Sequence, residues 1–374
     1  MQLNLRDRLW LNLVVLLTLS VWAIGVAHAK PNATPRIEQV GNVRVMHLYG
    51  SHREMGHQHG RLLRDEVQML YKDYFVRFAG GEIQIAMATK LAEFSMLPHI
   101  PSDYLEEMRG LAEGSGLEFK QVLLAQAFLD IKKIVQCSTV ALSGHASAEG
   151  EPMLGRNLDF PSLGIAHRHS IIVVRHPTKG QTTVSVGWPL LLGTFSGMNE
   201  AGVSLAMMEV YTSDSSIAGM PYAFQYRRAL EVSKSTADVV SFIQKGTHTA
   251  SNNLMVLDSL GKSALLEITA KQIAVRTSGD GKLYATNHHR SPPLTQKTGC
   301  WRYPIIEKRL RGPATQLNMK QLTTLLDRVA QGEANLQAMI FFPKSRKLHL
   351  AVGQLPASKG PFIEIPSATL FGKK

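Results

Sequence analysis

The sequence predicts a layered α+β fold, a helical block followed by strands, helices and strands again. Three observations carry this. From Arg36 to about Val135 the apolar residues fall mostly at helical spacing. From Cys137 to about Thr212 the texture changes to short β-type runs punctuated by Gly and Pro. The later patterns come in blocks rather than strict alternation, which fits layers better than repeated βαβ units.

The elements follow in order. A first strand is expected at Val43–Tyr49. Ser51 to Tyr74 then carries Met55, Leu62, Leu63, Val67, Leu70, Tyr71 and Tyr74 on a helical period. Tyr104–Leu111 and Phe119–Val135 are two further helical segments, separated by a loop at Glu113–Gly116. Strands are expected at Thr139–Leu142, Ile171–Arg175, Thr183–Gly187 and Val203–Met208, with Pro152–Asn157 a return strand. Tyr222 to Lys245 reads as helical. Strands follow at Leu254–Leu257, Ala264–Ile268, Ile273–Arg276 and Leu283–Thr286, then helices at Tyr303–Leu310 and Gln316–Ala330. Strands at Met339–Phe342 and Leu348–Ala351 close the pattern. No internal repeat is visible.

The 374 residues allow two domains or one large one, and 44% hydrophobic content supplies a substantial core. This composition excludes a disordered chain, a collagen and a coiled-coil rod. Two cysteines, Cys137 and Cys300, exclude a disulfide-stapled mini-fold and a thiolate zinc finger. Arg6 and Arg8 precede an apolar stretch from Leu9 to Val26 and then Ala27-His28-Ala29, the pattern of a signal peptide over residues 1–29. Export to the periplasm or medium is therefore expected, with the membrane met only through that peptide. The alternative is an uncleaved membrane anchor, for which the stretch is marginal in length and interrupted by Asn12, Thr18 and Ser20. The net charge of +12 is scattered along the chain rather than gathered on one element. No nucleic-acid partner is expected, because a nucleic-acid binder concentrates its charge on a recognisable motif.

The chemistry is expected where the texture changes. Cys137 opens one strand, Pro152–Asn157 returns, and Gly144–Glu151 between them has the composition of a turn. A hairpin centred near Ala148 places a residue near 159 opposite Cys137. It brings Asp159, and one strand-width away Arg156, beside the cysteine sulfur. A thiol, a carboxylate and a guanidinium at one strand end make a candidate nucleophile site.

Cys137-Ser138-Thr139 followed by Gly155-Arg156-Asn157-Leu158-Asp159 resembles the start of the catalytic chain in N-terminal nucleophile (Ntn) hydrolases. It is most similar to the branch of the penicillin acyl-coenzyme A acyltransferases, related to acid ceramidase and the choloylglycine hydrolases. Gly50 to Gly60 (GSHREMGHQHG) resembles the helix-opening motif of that branch, and Gly197 to Val203 (GMNEAGV) a segment shared across the group. Thr286-Asn287 resembles the Thr-Asn element after the central strands. Arg302 falls at a spacing similar to that of a functional arginine in ceramidase-like members.

The resemblance implies a four-layer αββα sandwich and self-cleavage between Gln136 and Cys137. Residues 30–136, mainly helical, would remain associated with residues 137–374, the catalytic segment. It further implies that Cys137 attacks an amide carbonyl of a small acylated substrate and forms a thioester. Its new α-amino group, with a pKa of about 7.7–8.0, would serve as base. Asn287 would donate to the oxyanion, Asp159 and Arg156 would orient the amine and hold the thiolate, and Arg302 would place the substrate or fix Asp159. No cofactor is implied. Gln136 departs from the pattern, since the penicillin acyltransferases have glycine there.

Other readings of the same residues stand beside this one. A Cys137–Cys300 disulfide in a non-catalytic exported protein that binds acylated ligands is the alternative for two cysteines in an exported chain. Asn253 reads as a residue opening a strand, or as a second oxyanion donor, and Asn199 as part of a turn that could line the pocket. His52, His57, His59, His167 and His169 lack the companion ligands of a metal site, and no metal is expected. Within the enzyme reading, the helical block and the loops Trp188–Gly193 and Tyr211–Met220 are expected to shape an acyl pocket.

Overall fold

Two twisted sheets face each other, and what faces what decides where the site lies. The computed structural model describes residues 34–132, 135–295 and 299–372. The expected signal peptide lies outside them. The described residues from Pro35 onward form one unit, and side chains of the helical block and of both sheets share one core.

The chain begins with β1 (Arg36–Val40) and β2 (Val43–Gly50) and continues into α1 (His52–Leu62), α2 (Arg64–Met69), a π-helical turn (Leu70–Phe75) and α3 (Val76–Ala79). Then come α4 (Glu82–Ser95), α5 (Ser102–Ser115) and α6 (Phe119–Ile131). The strands β3 (Gln136–Leu142), β4 (Met153–Asp159), β5 (Ile171–Pro177), β6 (Thr183–Gly187), β7 (Ser196–Asn199) and β8 (Ser204–Glu209) follow. The helices α7 (Tyr222–Val232) and α8 (Thr236–Gln244) lead to β9 (Asn252–Leu257), β10 (Ser263–Ile268), β11 (Ile273–Thr277) and β12 (Lys282–Ala285). The chain closes with α9 (Arg302–Leu310), α10 (Met319–Arg328), β13 (Asn335–Phe342), β14 (Lys347–Ala351), β15 (Ile363–Ile365) and α11 (Ser367–Phe371).

One sheet has the order β1-β2-β5-β6-β7-β8-β9-β10-β11 and the other β12-β3-β4-β13-β14-β15. All neighbours are antiparallel except β2 and β5. β3 and β4 pack against β8, while α7 and α8 cover the outer face of the larger sheet and α9 and α10 that of the smaller. The result is the four-layer αββα sandwich. Apart from Gln136, β3 (QCSTVAL) and β4 (MLGRNLD) are buried on both faces, so neither shows a strict alternation of buried and exposed positions, and the polar side chains they carry are buried with the rest.

The Gly50–Gly60 motif is a packing device. Ser51 and Glu54 form a capping box that starts α1. Gly56 and Gly60 then lie against the backbone of α5, where Gly110 and Gly114 return the contact. A Cβ on Gly56 would overlap the Glu107 carbonyl, and one on Gly110 the Arg53 carbonyl. His52 at the same helix start is hydrogen-bonded to the buried Glu107 at 2.7 Å. Gly197–Val203 is structural too. Asn199 is buried, donates to the Leu230 and Ser233 carbonyls at 2.7 Å and accepts from Val203 N–H, which ties the β7–β8 turn to the end of α7. Its amide is committed to that turn.

Candidate active site

Cys137 is the second residue of β3 and is fully buried. The β3–β4 register pairs it with Leu158, and Gln136 with Asp159, one residue away from the expected pairing. The shift matters because neighbouring residues of a strand point to opposite faces. Thr139 pairs with Arg156 on the face turned to the larger sheet, where Thr139 Oγ1 reaches Met208 and the Arg156 guanidinium reaches the Met207 carbonyl. On that face Arg156 Nη2 donates to Cys137 Sγ at 3.2 Å. Asp159, paired with Gln136 rather than with Cys137, is near enough for its charge to act on the Cys137 thiol. Its carboxylate accepts from Asn335 Nδ2 at 2.9 Å and from Arg302 Nη1 at 3.3 Å.

Arg302, the first residue of α9, links Asp159 to Cys137. The same Nη1 donates to the Cys137 carbonyl at 2.8 Å, and Nη2 donates to Asn287 Oδ1 at 2.8 Å. Of the two expected roles for Arg302, fixing the Asp159 side matches the contacts. Asn287 Oδ1 also accepts the Cys137 amide N–H at 2.7 Å, while its Nδ2 donates to the Glu209 carbonyl at 2.7 Å and the Val135 carbonyl at 3.2 Å. Two donors at one end and two acceptors at the other fix the orientation of the side-chain amide. In the intact chain the expected oxyanion donor is thus occupied by the carbonyls of Glu209 and of Val135, the residue before Gln136.

Sequence reasoning missed Glu209, the last residue of β8. It is fully buried, and its carboxylate accepts the Val135 N–H at 2.6 Å and the Tyr222 hydroxyl at 3.0 Å. The available signal was a carboxylate ending the buried run Ser204-Leu-Ala-Met-Met, a position a merely structural strand fills with an apolar residue.

The electrostatics follow from this burial. Burial pushes the Cys137 thiol up to about 11, against the opposing pull of the Arg156 guanidinium. Burial likewise raises Asp159 to about 6, although Asn335 and Arg302 stabilise its charge. Cys300, just ahead of α9, behaves oppositely. Burial acts to raise its pKa, but hydrogen bonds from His288 and Thr286 and the nearby Arg302 charge outweigh it and bring the thiol down to about 6. Both cysteines are free thiols, so the disulfide of the binding-protein alternative is not formed. Among the described residues no group of three or more His, Cys, Asp or Glu is placed to hold a metal ion.

An apolar cavity adjoins the cluster. The π-helical turn and α3 contribute Tyr74, Phe75 and Phe78, α6 contributes Phe128, and Phe160 and Trp188 complete an aromatic wall. Val135, two residues before Cys137, and Leu158, its partner across the ladder, are among the residues that line it. The helical block and the Trp188 loop shape it as expected. Tyr211–Met220 contributes nothing to its lining.

The sandwich, with a cysteine at the head of a central strand, has the architecture of an Ntn hydrolase. The family model for acyl-coenzyme A:6-aminopenicillanic acid acyl-transferase matches residues 146–353, more than half of the chain, and the chain belongs to that family. The matched stretch holds Arg156, Asp159, Glu209, Asn287 and Arg302 and begins after Cys137. Curated relatives include an uncharacterised protein of Archaeoglobus fulgidus, 27% identical over 306 residues, covering 71% of this chain and 51% of that one. Another is the protein dcd1B of Dictyostelium discoideum, 26% identical over 261 residues, covering 62% and 52%. The chain spans about half the length of these relatives. Among solved structures, an N-acylethanolamine-hydrolysing acid amidase orthologue of Caenorhabditis elegans aligns at 17% identity with a TM-score of 0.45, covering 56% of this chain and 93% of that one. A conjugated bile acid hydrolase of Clostridium perfringens aligns at 12% and 0.45, covering 64% and 94%. Similarity at that level carries neither fold nor function across to this chain.

Proposed function

We propose that the protein is an exported cysteine amidohydrolase or acyltransferase that matures by cutting its own Gln136–Cys137 bond. The observation that carries the reading is the placement of Cys137. Its sulfur receives a hydrogen bond from Arg156 at 3.2 Å, its amide and carbonyl are held by Asn287 and Arg302, and an apolar cavity begins at its neighbours.

In the intact chain Cys137 Sγ attacks the Gln136 carbonyl carbon and the Gln136–Cys137 C–N bond breaks. This leaves a thioester and a free α-amino group on Cys137. Water then cleaves the thioester, releasing Gln136 as a new carboxyl terminus and the thiol. When Val135 and Gln136 leave, Asn287 Nδ2 loses the Val135 carbonyl but keeps that of Glu209, and the Glu209 carboxylate loses the Val135 N–H. Val135 also lines the apolar cavity, so its departure removes part of that wall.

The mature site repeats the chemistry on a substrate amide. The α-amine, whose free form has a pKa of about 7.7–8.0, removes the thiol proton that burial otherwise holds so tightly. The thiolate forms beside Arg156 and attacks the substrate carbonyl. Asn287 Nδ2 stabilises the oxyanion, a contribution on the order of 3–4 kcal/mol for a donor of this kind. The ammonium returns its proton to the leaving amine, and water or a second amine takes the acyl group from sulfur. Arg302 and Asp159 keep the Cys137 backbone in place throughout. The aromatic wall suits a fatty or aromatic acyl group.

A panel of amides of one amine, from acetyl to palmitoyl, tests this. The hydrolysis rate is expected to rise with acyl length and to vanish in Cys137→Ala. A flat profile, or turnover that persists in Cys137→Ala, contradicts the reading.

A further inference from the structure

We infer that Asn253 is the positioning residue for Asn287, acting by holding the backbone on both sides of it. The inference rests on the role proposed above for Asn287. The β12–β3 ladder ends at the Ala285–Thr139 pair, so the next residues leave the smaller sheet. There Asn253 Nδ2, from β9 of the larger sheet, donates to the Thr286 carbonyl at 2.8 Å and the His288 carbonyl at 2.9 Å. One amide nitrogen thus anchors both peptide carbonyls that flank Asn287.

Asn253 is fully buried, and its register partner on β8 is Met208, the residue before Glu209. The Glu209 carbonyl in turn accepts from Asn287 Nδ2 at 2.7 Å. The strand pair β8–β9 therefore fixes Asn287 twice, through its backbone by Asn253 and through its side chain by Glu209. An apolar residue at 253 leaves two buried carbonyls without donors, so the segment 286–288 must shift to find them. A displacement of about 1 Å at a catalytic donor costs on the order of 100-fold in rate.

The test compares Asn253→Leu, Asn287→Ala and the double variant in self-cleavage and amide turnover, with a crystal structure of Asn253→Leu. Asn253→Ser replaces the leucine variant if that chain does not fold. Asn253→Leu is expected to lower kcat about 10- to 100-fold with KM nearly unchanged, the signature of a lost transition-state interaction. It is expected to add almost nothing in the Asn287→Ala background. In the crystal structure Asn287 should have moved off the Cys137 amide and Arg302. Penalties that multiply in the double variant, or an undisplaced Asn287, overturn the inference. Full activity of Asn287→Ala overturns instead the role proposed for Asn287, and the crystal structure then still decides whether Asn253 positions it.

Discussion

Arg156 Nη2 stands 3.2 Å from Cys137 Sγ, and both side chains lie between the two sheets. A guanidinium cannot lose its charge at physiological pH, so it is a permanent electrostatic support for a thiolate that burial otherwise disfavours. Arg156→Leu should therefore lower the rate of amide turnover by roughly 100-fold or more. Arg156→Lys should recover only part of it, since a single ammonium cannot serve both the sulfur and the Met207 carbonyl. Steady-state kinetics of the two variants check this.

Cys300 offers a separate readout. In Cys137→Ala it is the sole thiol, and its alkylation rate should rise to half its plateau near pH 6. Replacing His288 with Ala should move that midpoint upward, because His288 stabilises the thiolate. Iodoacetamide labelling followed by mass spectrometry measures both.

Asp159 links the site to stability. Its folded pKa of about 6 lies above the roughly 3.9 of an unfolded aspartate, so the folded chain binds the proton more tightly between those values. Stability from this group is greatest below about pH 4 and is lost as pH rises to about 6. A shift of this size corresponds to about 3 kcal/mol. The difference in unfolding free energy between the wild type and Asp159→Asn should change in that window and level off above it. Denaturant unfolding across pH 4–8 tests the sign.

The α1–α5 contact gives a purely structural prediction. Gly56→Ala places a methyl group on the Glu107 carbonyl and should cost at least about 2 kcal/mol. Gly279→Ala, with open space around its Cβ, should cost little. Thermal unfolding of the two variants distinguishes them.

Much of this was legible in the sequence because strong local signals agree with the fold. The runs Thr183–Gly187 and Ala264–Ile268 are buried strands bounded by turn residues, and they form where expected. Arg156, Asp159, Asn287 and Arg302 all meet around Cys137. The β3–β4 register was not legible. Gly144–Ala146 turns as a 3₁₀ helix, and nothing in its composition fixes the pairing to a single residue. That one-residue difference pairs Asp159 with Gln136 instead of Cys137, and its carboxylate is held by Arg302 and Asn335. The helix Glu82–Ser95 escaped because its apolar residues do not keep to one side: Ile85, Ala88 and Ala92 are buried, while Ile83, Met87 and Phe94 are exposed. Ser51–Tyr74 read as one helix but breaks at Leu63 and loosens into a π turn at Leu70. Glu209 was hidden because what makes it a site residue is its contacts with Val135 and Tyr222, distant in sequence.

The central claim is that Cys137 becomes an N-terminal nucleophile, and an intact-mass spectrum of the purified wild type beside Cys137→Ala tests it most directly. The wild type should give two fragments, the second starting at Cys137 with 238 residues, and Cys137→Ala a single uncut chain. One uncut chain in both, or a cut that survives in Cys137→Ala, would contradict it.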